Sequence, residues 1–194
     1  PRAAALDPGI MTGLPPHITA ATGMDALTHA VESYLNDWRT PETAAFSLAS
    51  TRLVFDSLER ACSHGEDLQV REAMALASYY GGLAFPSALV GYVHAVSHQL
   101  GARYGIPHGL GNAVVLPRVL ELFRDSSRER LAELARHCGM GNPSDDNAAL
   151  AQTFIDRVWQ LNAAVGIPKT LDAVREEDVG LIVDAALKEG NGYP

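Results

Sequence analysis

Gly23-Met24-Asp25-Ala26-Leu27-Thr28-His29-Ala30-Val31-Glu32 decides how the rest of this chain is read. Small and apolar residues fill most of the stretch, and its aspartate and histidine stand four apart. On a helix, positions i and i+4 project from one face, so Asp25 and His29 aim the same way. A second stretch repeats the device. Gly91-Tyr92-Val93-His94-Ala95-Val96-Ser97-His98 holds two histidines four apart, and His108 follows in Tyr104-Gly105-Ile106-Pro107-His108-Gly109. Two helices can therefore each aim a pair of ligand-type side chains at one point. A carboxylate with imidazoles suits a divalent ion of borderline hardness, Fe(II) or Zn(II), and the lack of cysteine in the set argues against a thiolate structural zinc site. A lone histidine on an apolar helix face is ordinarily a core or surface residue; recurrence across two segments makes these a candidate metal centre. Spacing leaves open whether His94 or His98 is the ligand.

Outward from these stretches the chain reads as all-α. Helices are predicted near 22–36, 41–63, 67–85, 90–100, 109–124, 128–138, 144–165 and 176–189. Thr19 or Thr22 could cap the first. Thr40-Pro41-Glu42 is a clear start signal, with threonine as N-cap and proline at the first helical position. Pro86 is expected to break the third helix, Gly101 to stop the fourth, and Pro117 to kink or restart the fifth. Gly109 and Gly111, beside His108, allow close backbone approach. Residues 1–19 read as an irregular lead-in with turn chemistry at Asp7-Pro8-Gly9 and Leu14-Pro15-Pro16. No stretch alternates with a period of two, so no sheet is expected. Gly139-Met140-Gly141 follows a helix rather than a strand, which removes it as a phosphate loop.

Composition narrows the function classes. The 194 residues suffice for one sizeable domain, and 47% hydrophobic with 20% charged residues is ordinary for a globular protein. A formal net charge of −8 argues against nucleic acid as a partner. No apolar run approaches a membrane span and the first residues lack a signal-peptide pattern, so a cytoplasmic protein without membrane association is expected. Cys62 and Cys138 read as reduced helix-packing residues. The start at Pro1 without methionine and the stop at Gly190-Asn191-Gly192-Tyr193-Pro194 lead to the expectation of a stretch of a longer protein, a single helical metal-binding domain over 1–194.

Together these motifs resemble the iron-containing, or group III, alcohol dehydrogenase family. The matching text is Thr19-Ala20-Ala21-Thr22 through Glu32, then Gly91 through Gly101, Tyr104, Pro107-His108-Gly109, Asn112-Ala113 and Leu116-Pro117. The similarity maps to the helical C-terminal domain of that family's dehydroquinate synthase-like architecture. It implies an α/β partner domain that binds NAD or NADP, with the active site in the cleft between the two. By resemblance, Asp25, His29, His94 and His108 match the metal ligands. His98 matches a histidine close to the nicotinamide that positions it or transfers a proton, and Phe85 an aromatic near the substrate end of the cleft. The resemblance implies Fe(II), with Zn(II) possible, a small alcohol or aldehyde as substrate, and a homo-oligomer.

The chemistry suits the donors. Removing the hydroxyl proton before hydride transfer needs a Lewis acid at the oxygen, and a neutral imidazole passes protons near pH 7. Glu32, one turn beyond His29, either orients His29 or is a solvated helix carboxylate. His17, His64 and His137 sit in no motif and read as surface residues. Two other classes remain at this stage: a metal-dependent hydrolase, which wants a carboxylate base beside the metal histidines, and a non-catalytic metal-binding or oligomerisation module. The isolated chain is expected to be inactive and to expose an apolar face where the nucleotide domain packs.

Overall fold

A computed structural model describes residues 3–190; Pro1, Arg2 and the stretch from Asn191 to Pro194, including the expected chain end, lie outside the described residues. All regular structure among them is helical: α1 (Pro16–Leu35), α2 (Pro41–Ser63), α3 (Leu68–Ala88), α4 (Tyr92–Tyr104), α5 (His108–Leu122), α6 (Arg128–His137), α7 (Asn147–Ala164) and α8 (Val179–Glu189), with 3-10 turns at Pro8–Met11 and Glu176–Asp178. The expected all-α class is the observed one.

α1 is the axis of the molecule. Every residue from Ala30 to Leu35 is buried, as are Met24, Ala26, Leu27 and Thr28, so this helix is enclosed on nearly all sides. α2 and α3 pack against it and each other, the α4–α5 pair lies across it through α5, α6 and α7 form a second pair, and α8 rests on α4. One continuous core runs from Leu27, Val31 and Leu58 to Leu131, Phe154 and Val158. Arg71, 2% exposed, straps the lead-in to this bundle: Nε donates to Gly65 O at 2.7 Å, Nη1 to Thr19 Oγ1 at 2.8 Å and Nη2 to Leu14 O at 3.2 Å.

Local chemistry sets most boundaries. Thr40 caps α2 with a reciprocal Thr40–Thr43 capping box and Pro41 in the first turn, as the sequence indicated. Asp146 caps α7 by accepting from Ala149 N at 2.8 Å.

Four expectations need correction. α1 begins at Pro16 rather than near residue 22, because proline already supplies helical φ there; Thr22 lies inside the helix and donates back to Ile18 O at 2.8 Å. Pro86 does not end α3, which runs to Ala88 with Pro86 exposed in its last turns, and stops at Leu89 with φ +66° and ψ 171°. The chain turns 103° there into α4. Gly101 lies inside α4, and the stop is Gly105, in the left-handed region at φ +66°. Pro117 sits inside α5 without restarting it. A proline nitrogen cannot donate to the carbonyl four residues back, so Ala113 O is orphaned by the helix; buried Asn162 on α7 donates to it at 2.6 Å. Among the described residues, no single helix is long and apolar enough to cross a membrane.

Candidate metal centre

Three helices bring the donors together. α1 presents Asp25 and His29 one turn apart, α4 presents His94 in its first turn, and α5 opens on His108. The close crossing of α5 over α1 depends on a missing side chain. A Cβ at Gly109 would stand 2.4 Å from Ala21 O, so only glycine lets His108 come this near to Asp25. At Gly111, against α4, a Cβ would meet Ser97 Oγ at 2.5 Å, so a side chain there would have to turn aside the hydroxyl that donates to His108 O at 3.2 Å.

One donor atom from each of Asp25, His29, His94 and His108 lies within 4.8 Å of the other three. Asp25 Oδ1 is 3.3 Å from His108 Nε2 and 3.8 Å from His94 Nε2. Ligands about 2.0–2.2 Å from a shared ion stand roughly 3.3–3.6 Å apart in a tetrahedron, so these separations fit a divalent cation. The rings of His29 and His94 stack with centroids 4.6 Å apart, and Phe85 stacks on the other side of His29 at 4.7 Å. Phe85 therefore borders the centre rather than filling the core.

The electrostatics favour the ligand form. Burial holds His29 down to about 4, against the opposing pull of Asp25 and with help from His94 and His108. Burial also lowers His108, Asp25 again opposing. Both rings are neutral at pH 7, as metal ligation requires.

Asn112, which appeared in the sequence only within the matching text, stands at the middle of the set. Its Nδ2 donates to Asp25 Oδ1 at 2.6 Å and lies 3.1 Å from both His94 Nε2 and His108 Nε2. An electropositive NH2 thus occupies the place where acceptors converge, while its buried Oδ1 has no partner. That is the arrangement a cation suits: several lone pairs turned inward on one point. The available signal was spacing, since Asn112 falls one turn after His108 on α5.

His98 lies beside the four rather than among them. Its ring stacks on His108 at 5.3 Å and meets His94 edge-on at 5.9 Å, its side chain is 44% exposed, and Nδ1 pairs with Glu189 of α8. Glu32 is neither solvated nor directed at His29. It is fully buried, and Oε2 lies 2.5 Å from His94 Nδ1. The spacing rule took the nearest histidine on the same helix and missed the one across the crossing. His17, His64 and His137 are exposed, as expected. Cys62 and Cys138 are free and outside the site; burial raises both thiols, Cys138 to about 12.

Comparison with known proteins gives one answer. The profile of the Fe-containing alcohol dehydrogenase family, C-terminal region, matches residues 19–194. A 1,3-propanediol dehydrogenase of Citrobacter freundii is 41% identical over 189 residues, covering 96% of this chain and 49% of that protein. Alcohol dehydrogenase 4 of Schizosaccharomyces pombe is 44% identical over 190 residues, 96% of this chain and 44% of its own length. The crystal structure of a 1,3-propanediol oxidoreductase superposes with a TM-score of 0.93 at 42% identity, covering 96% of this chain and 49% of that one. The chain spans about half the length of the curated relatives it matches.

Proposed function

The chain belongs to the Fe-containing alcohol dehydrogenase family, and on that premise we propose that it is the metal-binding part of an NAD(P)-linked alcohol dehydrogenase or aldehyde reductase. The observation that carries the reading is the convergence of Asp25, His29, His94 and His108 donor atoms within 4.8 Å from three helices. These four would hold Fe(II), or Zn(II), which the same donors accept. A divalent ion there acts as a Lewis acid toward an alcohol or carbonyl oxygen.

The remaining roles fall to the chain's own side chains. Asp25 supplies the one negative charge of the donor set, so a divalent ion held by the four would keep a net positive charge toward an incoming oxygen. Asn112 keeps Asp25 oriented through its 2.6 Å hydrogen bond. His98 is the proton-transferring group. With Nδ1 engaged by Glu189, Nε2 is the nitrogen left to exchange a proton on the exposed side of the centre. Phe85, against His29, forms an apolar wall beside the reacting oxygen.

The nicotinamide cofactor binds outside this helical unit. Pyrophosphate recognition in such enzymes uses a strand, a Gly-rich turn and a helix N-terminus, and no strand occurs among the described residues. The 194-residue chain alone is therefore expected to show no turnover, since the hydride acceptor is not positioned. Val179, Val183 and Leu187, 46–60% exposed and four residues apart along α8, offer an apolar face for a neighbouring unit or a second copy. Hydrolysis is the weaker reading, because the carboxylate nearest His94 is Glu32, already engaged by backbone and ring donors rather than free to act as a base.

The test is metal stoichiometry. Dialysis against Fe(II), Zn(II) or Co(II) followed by elemental analysis should give one tight ion per chain, and His94→Ala or Asp25→Ala should abolish it. Binding that is absent, or indifferent to both substitutions, overturns the proposal. Turnover of short alcohols by the chain alone with NAD or NADP would overturn the cofactor assignment.

A further inference from the structure

Helix α4 starts without a cap of its own. Its N-cap is Gly91, which has no side chain to offer, so the first backbone N–H groups need an acceptor from elsewhere. Glu32 reaches across from α1 to provide it: Val93 N donates to Oε1 at 2.7 Å and His94 N to Oε2 at 3.4 Å. The same Oε2 stands 2.5 Å from His94 Nδ1. A carboxylate at 0% exposure therefore fixes both the start of α4 and the ring that start carries.

The hydrogen-bonding pattern sets the proton. A carboxylate only accepts, so Nδ1 must bear the hydrogen. On the far side of the ring, Asn112 Nδ2 lies 3.1 Å from His94 Nε2. That amide's orientation is assigned by its 2.6 Å bond to the Asp25 carboxylate, which its oxygen could not make. A donor facing Nε2 requires a bare lone pair there. Both neighbours thus demand the same tautomer, the one whose Nε2 can ligate.

We propose that Glu32 is the positioning residue of the metal centre: it selects the His94 tautomer with Nε2 bare, and by capping α4 it sets where that nitrogen stands. This rests on the metal-centre reading above. α1 then contributes three functional groups at positions 25, 29 and 32, two as donors and the third acting through a donor on another helix.

Glu32→Gln tests it, because glutamine has nearly the same volume but one acceptor oxygen and one NH2. If the oxygen keeps Val93 N–H, the NH2 faces Nδ1 and drives the hydrogen to Nε2, into the donor set. Nitrogen-15 correlation spectra of the metal-free protein read the tautomer directly, and Co(II) titration reads the affinity. The wild type is expected to show protonated Nδ1 and bare Nε2 at His94. E32Q should invert that pattern and bind Co(II) about 10–100-fold more weakly. Wild-type His94 protonated on Nε2 overturns the proposal even if the variant fails to fold. A variant that loses only thermal stability, with tautomer and affinity unchanged, also overturns it, because that is what capping alone would do. If the wild type has the expected tautomer, E32Q inverts it, and neither binds Co(II), the metal-centre reading fails while the control of His94 by Glu32 stands.

Discussion

Gly109→Ala places one methyl group where α5 enters against α1. The new Cβ would lie 2.4 Å from Ala21 O and 2.8 Å from Ala21 C, with Asp25 Cβ at 3.4 Å, where ordinary contact begins. The obstacle is backbone of a helix packed on several sides, not the end of a swinging side chain. Relief therefore requires the two helices to part by about 1 Å. Overpacking of this kind costs about 1–3 kcal/mol. At roughly 2–4 °C per kcal/mol for a chain this size, the melting temperature should fall by about 2–12 °C. The same displacement opens the 3.3 Å separation of Asp25 Oδ1 and His108 Nε2. Functional constellations tolerate shifts of about 0.5 Å, so Co(II) affinity should fall at least ~10-fold. Thermal melts by far-UV circular dichroism and Co(II) titration measure both. Gly82→Ala on α3 is the control: nothing lies within 4 Å of its Cβ, and helix propensity should leave it unchanged or up to about 1 kcal/mol more stable. A Gly109→Ala protein that melts with the wild type and binds Co(II) as tightly would refute the idea that this contact sets the site.

Asn162→Ala should destabilise by about 1–3 kcal/mol, by leaving Ala113 O buried without a donor. Pro117→Ala, which restores an N–H to that carbonyl, should remove much of the loss in a double-mutant cycle read by urea unfolding; strict additivity would contradict the account. Leu89→Gly should stabilise by about 1 kcal/mol in thermal melts, because φ +66° with ψ 171° suits glycine and strains leucine; destabilisation would show that the side chain matters more than the backbone. The metal-free protein should lose stability as pH falls from about 6.5 toward 4. His29 titrates at about 4 when folded and near 6.5 when unfolded, so the unfolded chain binds the extra proton in that window. The effect is on the order of 3 kcal/mol, and a His29→Asn variant with the same pH slope in urea midpoints would exclude His29 as its source.

The helical class and most helix centres were legible because the apolar period persists through every long segment. Thr40-Pro41 marked its helix start to the residue, since the cap and the proline both act locally. Boundaries that depend on distant partners were not legible. Pro117 stays within α5 because Asn162, on another helix, accepts the duty of its missing N–H. Pro86 stays within α3 on its exposed side, and the helix runs only through Ser87 and buried Ala88 before Leu89 turns it. The paired spacings at 25/29 and 94/98 picked out the face of each helix that looks toward the candidate centre, and periodicity could go no further. It could not separate His94 from His98, which differ in burial and in whether Glu32 or Glu189 holds the ring. It assigned Glu32 to His29 because spacing knows only its own helix. Asn112 offered only its spacing, one turn after His108, and an amide at i+4 from a histidine has no meaning until Asp25 arrives beside it from α1.

The donor set also has a topological consequence. Its members come from α1 on one side and from α4 and α5 on the other, so a bound ion closes the chain between positions 29 and 94 into a ring. α2 and α3 lie wholly inside that ring, and α8 lies beyond the last donor, at 108. A cross-link that exists only in the folded state couples ion release to the opening of the segment it encloses. Loading with metal should then divide the molecule along its sequence. Amide exchange should slow across α1 to α5, where opening must break the ring. The α8 amides, free to fray without disturbing a single donor, should keep the rate they had before.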